Sequence, residues 1–366
     1  MFKFCISLLL AVVAFAASAD QFEVDQLYAR VKKGEATEAQ LDKACAQKDC
    51  VASRLYWYTD FEEAKRAAQQ TGRPIVALHL LGRLDEELSC ANSRFFRTTL
   101  YSDESIASLL RDDFILFWHS VRPVPRITIE FGDGRKIQQT ITGNSAHYLL
   151  APDGAVLDAL PGLYSPAEFR EQLVRWSRLH HVTDLRGYHA QRIEELKLRW
   201  AQLSRASGVR VQPSRTPKAM TAREATVITQ SKARVDRPML AAMQLATTLR
   251  ALPTSQWEIL GAYEAETVQF SQPSLDLIRR KQFGSAAPAS GEMEALIQNL
   301  QASVAGDTIF NECELHAAIH GWFARGEVTD LASLNTRVYE ELFLTPESDP
   351  WLGLKSPTIF TGIAAN

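Results

Sequence analysis

"TDFEEAKRAAQQTGRPIVALHLL", residues 59–81, is the stretch around which the rest of the chain organises. Thr59 or Asp60 is placed to cap a helix, the next residues contain no breaker, and Gly72 stands just past the last turn. Pro74 ends the helical register, and "IVALHLL" is a short continuous apolar run that stops at Gly82. Such a run, bounded by Pro and Gly, suits a strand buried on both faces. A helix leading directly into a buried strand points to an α/β domain with helices packed on a central sheet.

The downstream pattern continues that alternation. "DDFILFWHSV" (112–121) is a second apolar run. "RITIEFGDGRKIQQTITG" (126–143) alternates on either side of Gly132-Asp133-Gly134, which predicts a hairpin. "AHYLLAPDGAVLDALPG" (146–162) is another strand–turn–strand, turning at Pro152-Asp153-Gly154. In "SPAEFREQLVRWSRL" (165–179), Ser165 is an N-cap and Pro166 the first helical residue, with Phe169, Leu173 and Trp176 on one face. Together these define an α/β domain over residues 53–178, a central mixed sheet flanked by helices. A helical lead-in, 20–52, precedes it; there Thr37 and Gln40 have the spacing of a capping box.

Beyond residue 178 the chain turns helical. A connecting helix is expected over 179–207, closing at Gly208, and the proline-containing stretch 208–222 reads as a linker. Residues 223–366 read as a mainly α-helical C-terminal domain punctuated by Pro253, Pro273, Pro288 and Gly306. The tail "FLTPESDPWLGLKSPTIF" (343–360) suggests an ordered strap over a core.

At 366 residues, two domains are the natural division, and 46% hydrophobic residues suffice for their cores. A net charge of −3 gives no reason to invoke nucleic acid or an anionic membrane. Residues 1–19 carry a short basic start, an apolar run too short for a comfortable membrane span, and Ala17-Ser18-Ala19 as a small-x-small site. They are expected to be a cleaved secretory signal, with the mature chain beginning near Asp20 in a secreted or periplasmic compartment. Cys5 leaves with the signal. Cys45, Cys50, Cys90 and Cys313 remain where disulfides persist. Cys45 and Cys50 in "CAQKDC" are read as a structural staple, since their spacing is not that of a C-x-x-C redox pair; other pairings, Cys90 with Cys313 among them, stay open.

Several of these segments, in this order, resemble the secreted bacterial branch of the thioredoxin-like superfamily. The helix "DFEEAKRAAQQTGRP", the segment "LYSDESIASLLRDDFILFW" and the strand and turn "SAHYLLAPDG" are similar to that family's elements, about a third of the chain in all. The family's C-x-x-C is matched by Cys90 and Ser93 in "LSCANSRFFR" (88–97), a monothiol C-x-x-S variant. The resemblance implies a thioredoxin-like domain followed by the helical one, and thiol–disulfide exchange through Cys90 with a protein thiol or disulfide as partner. A thiol at a helix start meets unpaired N–H groups that favour the thiolate. Ser93 can support that thiolate and cannot resolve a mixed disulfide. Three positions depart from the pattern: Ser89 replaces the family's tryptophan, Ser145 stands where a cis-proline is usual, and the preceding loop carries Asp85, Glu86 and Glu87. Carboxylates beside a thiol oppose its ionisation. The competing readings are a small buried cysteine and a non-catalytic binding or scaffold module, whose helical domain holds a protein partner or a metal.

One further constellation is "NECELHAAIHGWF" (311–323), where Cys313, His316 and His320 fall at i, i+3 and i+7 and share a helix face. Thiolate and imidazole together suit zinc or copper, but a fourth ligand is not visible and H-E-x-x-H is lacking, so no metal is expected. His180, His181 and His79 are read as ordinary structural histidines. Nucleotide-binding and hydrolase motifs are also missing, so no cofactor is expected.

Overall fold

A computed structural model of the chain describes residues 19–140, 143–209, 256–350 and 352. Most of the expected signal segment (1–19), most of the expected linker, residues 223–255 and the end of the expected strap, 353–360, lie outside them.

Three helices open the described chain: α1 (Ala19–Lys32), α2 (Glu38–Cys45) and the single turn α3 (Cys50–Ser53). Thr37 and Gln40 form the expected capping box at the start of α2. Cys45 and Cys50 are joined in a disulfide that closes the loop between α2 and α3. Hydrogen bonds tie this lead-in to the α/β unit. Trp57 donates its backbone N–H to Cys45 O (3.0 Å) and its indole N–H to Gln47 Oε1 (2.8 Å). Tyr58 then pairs in parallel with Phe117, which adds a short extra edge to the main sheet.

Next come α4 (Phe61–Thr71), capped by Asp60 and ended by Gly72, and β1 (Ile75–Leu81), every residue of which is buried. The chain continues through α5 (Ala91–Phe95), a π-helical turn at 96–100, α6 (Glu104–Asp113) and β2 (Ile115–Arg122). The hairpin of β3 (Arg126–Glu130) and β4 (Lys136–Thr140) forms its own two-stranded sheet. Its half-exposed alternation explains that separation, because a strand with one polar face has no place inside a sheet covered on both sides. Strands β5 (Ser145–Leu150) and β6 (Val156–Pro161) and helix α7 (Pro166–Leu179) complete the α/β unit.

The main sheet has the order β2-β1-β5-β6. β1 and β2 run parallel, β5 is antiparallel to β1, and β6 is antiparallel to β5. The parallel pair requires a crossover, which α5 and α6 supply. Trp57, Tyr101, Tyr148, Phe169 and Trp176 are among the largest fully buried side chains around it.

The helical C-terminal region packs onto this unit. Helix α8 (Leu185–Ser207) carries the chain away, and α9 (Gln256–Glu264), α10 (Gln272–Phe283), α11 (Glu292–Phe310), α12 (Ala317–Ala324) and α13 (Leu331–Arg337) come after it. A π-helical turn, Asn311–His316, joins α11 to α12. Of the strap expected over 343–360, residues 343–350 and 352 are described, and there the Arg122 guanidinium donates to the carbonyl oxygens of Thr345 (3.0 Å), Pro346 (3.3 Å) and Asp349 (3.0 Å). No described helix is long and apolar enough to cross a membrane.

Candidate functional site

Among the described residues, the sequence-predicted candidates lie at the start of α5 and at the junction of β6 with the C-terminal helices.

Cys90 stands at the N-cap of α5, as the C-x-x-S spacing predicts, but it and Ser93 are both fully buried. Ser93 Oγ donates to the Cys90 carbonyl oxygen at 2.9 Å. Burial pushes the Cys90 thiol above its ordinary value; hydrogen bonds from Ser93 and the charge of Arg94 pull the other way without reversing it. The acidic loop also plays a different part from the one expected. Asp85 pairs with Arg83 at 2.6 Å, Glu86 with Arg126 at 2.7 Å and Glu87 with Lys281 at 2.7 Å, so each carboxylate is neutralised locally. It is desolvation that raises the thiol. Ser145 begins β5 through a trans peptide, and Cys90 and Cys313 are both free and buried.

The second place is entirely interior. Asp158 interrupts the apolar run of β6, and such a charge inside a sheet must be compensated. Its Oδ2 accepts the indole N–H of Trp176 at 2.9 Å, and its Oδ1 accepts the Ala159 N–H at 2.8 Å. His316 Nε2 lies 3.0 Å from the same Oδ1, and His316 Nδ1 lies 3.2 Å from Glu312 Oε2. His320 Nδ1 is 3.9 Å from Asp158 Oδ1 and 2.7 Å from His189 Nδ1. His189, from α8, directs its Nε2 to the Leu157 carbonyl at 3.0 Å, so that nitrogen carries the proton. Glu312 is held from behind by Arg192 at 3.2 Å and by Gln172 at 3.1 Å. Asp158, Glu312, His189, His316 and His320 are all buried to completion.

The electrostatics reflect this order. Burial by itself would lower His316, but Asp158 and Glu312 flank the ring and push it up to about 9. Burial would raise Asp158 and Glu312; the facing His316 outweighs it and holds both carboxyls below their ordinary range. His320 and His189 are lowered, chiefly by burial, with the charge on His316 adding to it. The site therefore holds one charged imidazole between two carboxylates and two neutral imidazoles beside them.

Of the three residues grouped by helical spacing, His316 and His320 belong to this site and Cys313 does not. Cys313 packs instead with Trp200, Leu260 and Ile309, where burial pushes its thiol up to about 12. The cause is the π turn at 311–316. Its wider winding rotates each step by less than the roughly 100° of an α-helix, so Cys313 and His316 point to different neighbours. Asp158, His189 and Glu312 were invisible as site residues. The one local signal was Asp158, a carboxylate inside an otherwise apolar strand; nothing in the sequence near His189 marks it. Asp158, His316 and His320 are the one group of described residues whose ligand atoms all lie within 4.8 Å of one another.

The chain matches no family model, no curated protein and no solved structure.

Proposed function

We propose that this is an exported protein built on a thioredoxin-like domain that serves as a scaffold and not as a thiol exchanger. The thioredoxin-like reading takes support from the sheet order β2-β1-β5-β6 with one parallel pair, from α4 leading into β1, and from the helix that begins at Cys90 after that strand. Export takes support from the signal-like start of the chain and from the Cys45–Cys50 disulfide, which an oxidising compartment preserves.

The observation that carries the scaffold reading is the complete burial of Cys90. Disulfide exchange needs a sulfur that a second sulfur can approach, in its thiolate form. Cys90 has neither access nor a lowered thiol. The test is native-state alkylation of Cys90 across pH, with Cys90→Ser as the blank. Labelling only on unfolding supports the scaffold. Rapid labelling with a midpoint below the ordinary thiol value rejects it and restores monothiol exchange.

A further inference from the structure

We propose that the outer edge of β3 joins a second copy of this chain, strand to antiparallel strand, so that two hairpins form one four-stranded sheet across a twofold axis. This goes beyond the scaffold reading and stands whether or not Cys90 reacts.

The first ground is an open edge. The hairpin of β3 and β4 stands apart from the main sheet, and no described strand pairs with either of its outer edges. The Phe131 N–H bonds to Arg135 O at 3.1 Å. Bonded and non-bonded pairs alternate along an antiparallel ladder, so Ile129 and Ile127 turn their backbone groups toward β4. Arg126, Thr128 and Glu130 therefore turn theirs outward. Such an edge is a template for another strand, which proteins usually cover, shorten or bulge. β3 instead runs five residues in unbroken register.

The second ground is that "RITIE" (126–130) is its own complement when laid antiparallel. With Thr128 opposite Thr128 of the second copy, Arg126 falls opposite Glu130 at both ends and Ile127 opposite Ile129. The three outward-facing residues of each copy become the bonded pairs, with about six hydrogen bonds between the strands. Opposite charges and branched apolar residues directly across a sheet are favourable pairs. A shift of two residues separates both ion pairs, and a parallel arrangement sets like charges side by side, so one register is selected. β4 offers no such match. There Lys136 would face Thr140, which is already buried and donates to Ser89 O at 2.9 Å.

The third ground is what each face of the hairpin leaves uncovered. Arg126, Thr128 and Glu130 are exposed. Arg126 gives Nη2 to Glu86 at 2.7 Å, and Glu130 takes Lys136 at 2.6 Å. In the paired sheet Glu130 lies between Lys136 and Arg126 of the second copy. On the other face Ile127, Ile129 and Ile137 are half-buried, and Phe131 is 49% exposed. Pairing extends that isoleucine row and sets Phe131 against Pro125 of the second copy, the next position along the register. The edge is small beside the ~1,600 Å² of a standard interface, so the dimer is concentration-dependent, with a Kd of about 10–100 µM.

The experiment is sedimentation equilibrium of the full mature chain from about 1 to 500 µM, a range that brackets that Kd. Wild type should pass from monomer to dimer across it. Thr128→Pro should weaken the dimer at least ~10-fold, since the Thr128 N–H serves no bond inside the hairpin and is lost only to the second copy. Arg126→Glu and Glu130→Arg should each weaken it by a similar factor, because like charges then meet at both ends. Mixing those two variants should restore association, acidic ends now meeting basic ones. Thr128→Cys should give a disulfide-linked dimer in air, as opposed residues in a bonded pair stand about 5.5 Å apart at Cα. If Thr128→Pro fails to fold, the mixture of the two exposed charge variants decides. Wild type still monomeric at the highest concentration overturns the assignment and leaves the edge to a strand of another protein. A dimer that survives a folded Thr128→Pro, or that the mixture does not recover, lies elsewhere on the surface and also overturns it.

Discussion

Ser93 gives its hydroxyl proton to the carbonyl oxygen of Cys90, 2.9 Å away, in a helical turn where neither side chain reaches solvent. The pair that spacing alone presents as a monothiol site is thereby part of the packing of the first turn of α5.

Cys90 should react slowly in the folded protein. Access requires local or global opening, so iodoacetamide should modify it at least ~100-fold more slowly than a free thiol at the same pH. The raised thiol adds to that protection below pH 9, because less thiolate is present at any given pH. Ser93→Cys should produce no turnover in a disulfide-reduction assay, since the new thiol is buried as well. Turnover by that variant would contradict the packing seen at α5.

The Cys45–Cys50 disulfide should stabilise the lead-in by about 2 kcal/mol, the chain-entropy value for so short a loop. Replacing both cysteines by serine, with urea unfolding followed by circular dichroism, measures it. A loss below about 0.5 kcal/mol would show that the hydrogen bond from Cys50 N–H to Asp42 (2.9 Å) already holds the loop closed.

Acid should destabilise the fold through His147. This ring is fully buried against Phe96 and Phe169, lies 2.7 Å from the Tyr101 hydroxyl, and is pushed down by burial to about 3. Its folded value lies below the ordinary 6.5, so the stability it supports is complete above pH 6.5 and is lost as pH falls toward 3. Between pH 7 and pH 4 that amounts to about 3 kcal/mol. His147→Gln should flatten this part of the pH–stability curve. An unchanged slope would assign the acid sensitivity elsewhere, His79 being the next group, lowered to about 4 by burial beside His119.

Gly162→Ala should cost about 2–4 kcal/mol. Gly162 comes directly after β6 with φ +80°, and a Cβ there would lie 2.6 Å from Asn311 Nδ2. That amide donates to Leu163 O at 2.7 Å and sits at the start of the π turn carrying Glu312 and His316. The variant should therefore lower the thermal midpoint of the whole chain. A shift confined to the α/β unit would mean that the helical region unfolds independently.

The local order of the α/β unit was legible in the sequence because it rests on short-range signals. Asp60 and Ser165 cap their helices where hydroxyl or carboxylate side chains precede an apolar face, and Gly72 and Gly154 take left-handed conformations where turns require them. The all-buried pattern of β1 comes from "IVALHLL" itself, and the Cys45–Cys50 closeness from five residues of separation. Of the candidate site only His316 and His320 were legible, for two physical reasons. Its members come from β6, α8 and the segment joining α11 to α12, so only tertiary packing brings Asp158, His189 and His316 together. A π turn, which helical periodicity does not foresee, then separates Cys313 from the two histidines that stand near it in sequence. Burial decided the rest: the same fold that places Cys90 at a helix start also covers it, and a covered thiol is a packing residue.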